Sequence, residues 1–192
     1  MELNRAWLRE QSENRNFKKL IAALCAAEIL LTVEFFALSY GTLKIVRYLI
    51  LLAAMFFIAW IDQHNRKIPN RLLLWTLTVR VILLAIEWTL YPGVGLVLFI
   101  SALTGLVLGG GLFLLAHFLS RGGVGMGDVK LFAVIGAYMG GGSIMAVVFL
   151  TAVVSATYSL VMLARKKMKL KEEIPFAPFA LIGLAAAMAL GM

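Results

Sequence analysis

Residues 43–61 read LKIVRYLILLAAMFFIAWI, and Asp62 follows at once. The stretch holds 19 residues, charged only at Lys44 and Arg47 near its start. A membrane-spanning helix needs about 20 mostly apolar residues, and this run meets that need. Similar runs lie at 20–40, 71–90, 94–119, 143–164 and 175–192. A shorter one, 129–139, reaches only about 16 Å as a helix, against a hydrocarbon core of about 30 Å. It is either a re-entrant segment or a short span in a thinned region that borrows Gly140–Gly142. Of the 192 residues, 62% are hydrophobic and 15% charged. Soluble domains run roughly 45–50% apolar and about 25% charged, so an ordinary soluble domain and a disordered chain are both excluded. The expectation is an all-α polytopic membrane protein with about seven transmembrane helices.

The charges set the topology. Eighteen Lys+Arg against ten Asp+Glu leave +8. The basic residues cluster between apolar runs, which is the pattern of a protein oriented by positive loops and not of a nucleic-acid binder. Seven crossings with the N-terminus inside put five basic residues (1–19), then Arg66, Lys67 and Arg71, then Arg121 and Lys130, then five more (165–171) on the inner side. Only Lys44 and Arg47 fall outside, and Arg80 lies within a span. Were 129–139 not to cross, the cluster at 165–171 would face outward. Seven spans are therefore expected, N-terminus inside and C-terminus outside. Residues 1–19 read as a polar cytoplasmic segment. Residues 20–40 read as a retained additional helix, too long for the apolar core of a cleaved signal peptide. Cys25 is the one cysteine, which leaves no intramolecular disulfide, CxxC pair or cysteine-based zinc site. No HxxxH or ExxH spacing is present, so neither a metal nor an organic cofactor is expected.

Ionisable groups in or beside spans are costly and so mark candidate sites. Glu28 and Arg80 each lie about 12–14 Å from the inner end of their spans, which suggests a structural ion pair. Glu34 and Glu87 fall nearer the outer surface, within reach of water. His117 reads as a hydrogen-bonded core residue and His64 as a solvated loop residue. Gly105 and Gly109, with Ser101 a turn earlier, have the GxxxG spacing of close helix packing.

Asp62 and Asp128 are the only aspartates. One closes the second span and one opens the fifth, at the same membrane boundary. Two carboxylates converging on one water share a proton. The ionised member can then take a proton from water attacking a peptide carbonyl, while the protonated one stabilises the oxyanion. The plainer alternative is that each caps a helix. That suits Asp128, which precedes a helix, but not Asp62, because a carboxylate at a helix C-terminus opposes the dipole. Gly125 and Gly127 permit positive φ and leave the backbone bare, so an extended substrate could lie along them in strand fashion. Alternatively the Gly-rich stretch is a flexible connector.

The heptapeptide Gly125-Met126-Gly127-Asp128-Val129-Lys130-Leu131 resembles the GxGD signature of type IV prepilin leader peptidases. Ile61-Asp62, followed by Arg66-Lys67-Ile68-Pro69-Asn70, is similar to the segment around that family's first catalytic Asp. Ile174-Pro175-Phe176-Ala177-Pro178-Phe179 resembles its IPFGPF element, with Ala177 in place of the glycine. The resemblance covers residues 43–192 and implies a six-helix catalytic core. It also implies that Asp62 and Asp128 are the catalytic pair of a membrane aspartyl endopeptidase. The partners would be prepilin-like precursors and membrane lipids, with cleavage of a basic leader at the cytoplasmic face of a prokaryotic plasma membrane. Gly125, Gly127, Lys130, Pro69, Asn70, Pro175 and Phe176 are the supporting residues. Of these, Pro69 and Asn70 suit a helix start with Asn as cap, and Pro175 suits a first helical turn. Lys130 would pair with an Asp or a lipid phosphate, or serve as a positive anchor. Many members carry a methyltransferase region with a cysteine-based zinc site, and with Cys25 alone a form lacking it is expected. Presenilin-type and signal-peptide-peptidase-type proteases pair their GxGD with Tyr-Asp and Pro-Ala-Leu, where this chain has Ile61-Asp62 and Pro175-Phe176-Ala177-Pro178. A proton-coupled transporter would put its acids near the bilayer midplane in two related halves. A non-catalytic subunit of a secretion machine would cut no precursor.

Overall fold

Backbone inside hydrocarbon must satisfy its own N–H and C=O groups. In the computed structural model, which describes residues 15–37, 40–121, 123–165 and 174–191, the chain does so with helices. Among the described residues there are seven helices and no strand: α1 (Arg15–Ala37), α2 (Thr42–Asn65), α3 (Asn70–Leu90), α4 (Pro92–Leu119), α5 (Met126–Met139), α6 (Ile144–Ala164) and α7 (Ala177–Ala189). Four of them, α2, α3, α4 and α6, are long and apolar enough to cross a membrane. The basic residues Arg5, Arg9, Lys166, Lys167, Lys169 and Lys171 lie outside the described residues.

The breaks between helices follow local chemistry. Arg66 takes a left-handed conformation (φ 49°) and its N–H closes α2 on the Asp62 carbonyl. Pro69 precedes α3, and Pro92 opens α4, where its missing N–H costs nothing. Gly140 ends α5 at φ 85°, a conformation that favours glycine.

The short apolar run 129–139 becomes the centre of the bundle. Val129, Leu131, Phe132 and Val134–Met139 of α5 are all buried, whereas α3, α4 and α6 turn broad apolar faces outward. The GxxxG spacing of α4 does serve packing, and its partner is α5. Gly105 and Gly136 approach so closely that a Cβ on either would overlap the other's carbonyl oxygen, and Gly109 lies likewise against the Phe132 carbonyl. Gly140 abuts the Ser101 hydroxyl. Gly136 and Gly140 thus repeat the GxxxG spacing on the facing helix. At one end of the bundle Phe35 of α1 packs on Tyr40 and Tyr48, and the Tyr40 hydroxyl donates to the Gly191 carbonyl at 3.0 Å.

Several expectations about charged residues are corrected. Arg80 does not pair with Glu28. It donates from Nη1 to Glu87 at 3.0 Å and from Nε to the Ala137 carbonyl at 2.8 Å. The reason is placement, because α1 packs on α2 and α7. Glu28 Oε1 is buried with no hydrogen-bond partner among the described residues. Glu87 does not reach water: it is 4% exposed, and its second oxygen accepts from Arg47 at 3.1 Å. Arg47 accordingly lies buried within α2, not on an outer segment. His64 stands in the last turn of α2, not in a loop, with Nδ1 on the Trp60 carbonyl. His117 is hydrogen-bonded as expected, to the Val124 carbonyl.

Candidate active site

One end of the bundle gathers the end of α2, the turn 66–69 and the starts of α5 and α7. Asp62, in the last turn of α2, is buried, and its Oδ2 accepts the Ala177 N–H at 3.0 Å. Local sequence explains why that donor is free. Ala177 opens α7, Pro178 has no N–H, and the N–H groups of Phe179 and Ala180 both turn back to the Phe176 carbonyl. The Phe176 N–H adds a second contact to Asp62. A carboxylate that opposes the dipole of its own helix thereby sits on the positive end of another.

Asp128 is the third residue of α5, whose N-cap is Gly125. Its N–H donates to the Gly125 carbonyl at 3.0 Å, and its carboxylate accepts the Gly125 N–H in return. The return contact from the Asp128 carboxylate is one half of a capping box, and glycine at the N-cap has no side chain to supply the other. The glycines are needed for space, not for backbone freedom. Gly125 has φ −68°, and a Cβ there would lie 3.1 Å from Asp128 Oδ2. Gly127 is helical, and a Cβ there would lie 3.3 Å from the Ile68 side chain. The expectation of positive φ at these two positions is therefore corrected. Extended backbone ends at Gly125, because α5 begins at Met126.

The supporting residues join these ends. Lys130 Nζ donates to Asn70 Oδ1 at 3.1 Å. Asn70 consequently does not cap α3: Pro69 holds the cap position and no side-chain cap bond forms. Pro175 precedes α7, and Pro178 is the proline of the first turn. The Phe176 ring lies 5.8 Å from Phe113 and 5.9 Å from Phe132, which themselves stack at 3.9 Å. This aromatic group seats the start of α7 on α4 and α5.

Asp128 lies on the loop side of the apolar stretch 129–139, and its carboxyl is pushed up to about 6. Burial is the main cause and the negative charge of Asp62 the second, partly offset by the Gly125 N–H. Two acids in one field, each accepting a backbone N–H and one of them inclined to keep its proton, form a pair suited to general acid–base work. Among the described residues no group of three or more His, Cys, Asp or Glu is placed to hold a metal ion. Sequence reasoning missed the Asp62–Ala177 contact, whose partners stand 115 residues apart.

The type IV leader peptidase family matches residues 49–160. A prepilin leader peptidase/N-methyltransferase of Burkholderia pseudomallei (strain 1026b) is 41% identical over 69 residues, covering 36% of this chain and 22% of that protein. A protein of the same name from Bacillus subtilis (strain 168) is 28% identical over 141 residues, covering 71% of this chain and 52% of that protein. The chain thus spans between about a fifth and about half of the curated relatives it matches. No solved structure matches it. Asp62 and Asp128 both fall inside a match that takes in more than half of these 192 residues, and the chain belongs to the type IV leader peptidase family.

Proposed function

We propose that this chain is a multi-pass aspartyl endopeptidase of a prokaryotic plasma membrane that removes the basic leader of type IV prepilin-like precursors. Residues 43–192 form its catalytic core, with residues 1–19 a cytoplasmic segment and 20–40 an added helix. The end carrying Asp62 and Asp128 faces the cytoplasm, where the exposed Arg66, Lys67, Arg71, Arg121 and Lys130 also gather. The far end of α7 faces outward.

Asp62, held by the α7 N-terminus, is the carboxylate, and Asp128 carries the shared proton. Water attacks the scissile carbonyl carbon and gives its proton to Asp62, while Asp128 donates to the carbonyl oxygen. As the tetrahedral centre collapses, the C–N bond breaks, the leaving amine takes the proton from Asp62, and one hydroxyl of the centre returns its proton to Asp128, leaving a carboxylic acid and the restored pair. Gly125, Gly127, Lys130, Asn70, Pro69, Pro175 and Phe176 hold the two acids at one depth.

The observation that carries this reading is the meeting of Asp62, Asp128 and the α7 N-terminus at one end of the bundle in a leader peptidase family member. It is tested by co-expressing the chain with a prepilin-type precursor. A shortened product that depends on both aspartates is expected. An uncut precursor with well-inserted protein would end the proposal.

A further inference from the structure

The C-terminus of α5 poses a physical problem that its length creates. Its 14 residues rise about 21 Å, less than the hydrocarbon core, so its last carbonyls end among apolar side chains. In such surroundings a carbonyl without a donor is costly. The Gly136 carbonyl still receives the Gly140 N–H. The Gly141 N–H, which continuing helix would send to Ala137, instead goes to the Ser101 carbonyl at 3.0 Å. The Ala137 carbonyl is taken by Arg80 Nε at 2.8 Å.

Arg80 is held for that contact from every side. It is 2% exposed, Glu87 fixes its Nη1 at 3.0 Å, and Arg47 fixes Glu87. The Tyr138 ring lies 5.8 Å from its guanidinium, and the Tyr138 hydroxyl ties α5 to α3 through the Thr76 carbonyl at 2.8 Å. The heights agree as well. Arg80 is ten residues up α3 and Ala137 eleven up α5, so both stand about 15–17 Å from the inner ends of helices that rise side by side.

We infer that Arg80 is a buried C-cap for α5 that fixes the depth of this helix and so holds Asp128 level with Asp62. A positive group at a helix C-terminus also opposes the dipole favourably. A helix whose far end is fixed can present its first turn at only one height. Arg80 touches no substrate and is a positioning residue, and its link to catalysis rests on the proposed aspartyl mechanism.

The charge count supplies a clean variant. Arg80→Met leaves Arg47 and Glu87 as a neutral one-to-one pair, so no acid is stranded. Arg80→Met should insert and stay folded, and its kcat for a prepilin-type precursor should fall on the order of 10- to 100-fold with KM little changed, the cost of a misplacement near 1 Å. Arg80→Lys keeps the charge and a donor and should recover part of the loss. The second readout is the titration of Asp128 in protein carrying 13C-carboxyl aspartate, which needs no activity. It should move to lower pH in Arg80→Met, because Asp128 draws away from Asp62. If wild type cuts nothing, the peptidase proposal fails while the titration still decides the role of Arg80. Wild-type titration and kcat in folded Arg80→Met would overturn the inference. Should Arg80→Met not fold, Arg80→Leu takes its place, and a folded Arg80→Leu with wild-type kcat and titration would overturn the inference equally.

Discussion

The interaction between Asp62 and Asp128 yields a prediction independent of any substrate. Asp128 is pushed from its ordinary 3.8 up to about 6, which favours its protonated form by about 3 kcal/mol. Burial is the larger cause and the Asp62 charge the second. Asp62→Asn deletes that charge while its side-chain oxygen can still accept the Ala177 N–H. The Asp128 midpoint should therefore fall but stay above 3.8, since the burial remains. The two aspartates are the only ones in the chain. Carboxyl-13C aspartate thus gives two NMR signals in wild type, whose midpoints belong to the pair, and one in Asp62→Asn, which belongs to Asp128 alone. An Asp128 signal with the same midpoint in both proteins would refute the coupling. A wild-type protein whose two signals both titrate near 3.8 would refute the burial as well.

Catalysis should follow the same logic. Because Asp128 holds its proton below about 6 and loses it above, cleavage should decline as pH rises through that value, as a pH–rate profile with a detergent-solubilised enzyme will show. Asp62→Asn and Asp128→Asn should each abolish processing in co-expression with insertion unchanged, and the double variant should be no worse than either. Processing by either single variant would favour simple helix caps, since Asn caps as well as Asp. Gly136→Ala should cost at least about 2 kcal/mol in thermal or SDS unfolding, because its Cβ meets the Gly105 backbone, which cannot swing aside. Gly111→Ala, with nothing within 4 Å, should be neutral or slightly stabilising. A reporter fused after Met192 should be active outside the cytoplasm and inactive within it.

The helices were legible because an apolar run is a local property, and so was the position of both aspartates at helix ends. Lateral neighbours were not. Depth arithmetic put Glu28 and Arg80 at one height, but height says nothing about which helices touch. A better signal was present on α3 itself. Glu87 is seven residues after Arg80, two turns along nearly the same face. Arg47 lies five residues into α2 and Glu87 three residues from the end of α3, so the two stand close in height where those helices adjoin.

The glycines were misread for a related reason. A sequence shows that Gly125 and Gly127 lack a side chain, but not whether the missing atoms matter for torsion or for room. Here they matter for room, with Asp128 and Ile68 filling it. The same physics bears on why a short inner helix carries a candidate catalytic acid. A helix too short for the bilayer and buried in protein has no water at its far end, so its neighbours must satisfy its polar groups. Asp128 returns to Gly125 at one end, and Arg80 and Gly140 close the other. Once both ends are fixed, α5 has little freedom to slide. The proposed mechanism needs two carboxylates within reach of one water, and a helix that cannot slide would keep Asp128 there.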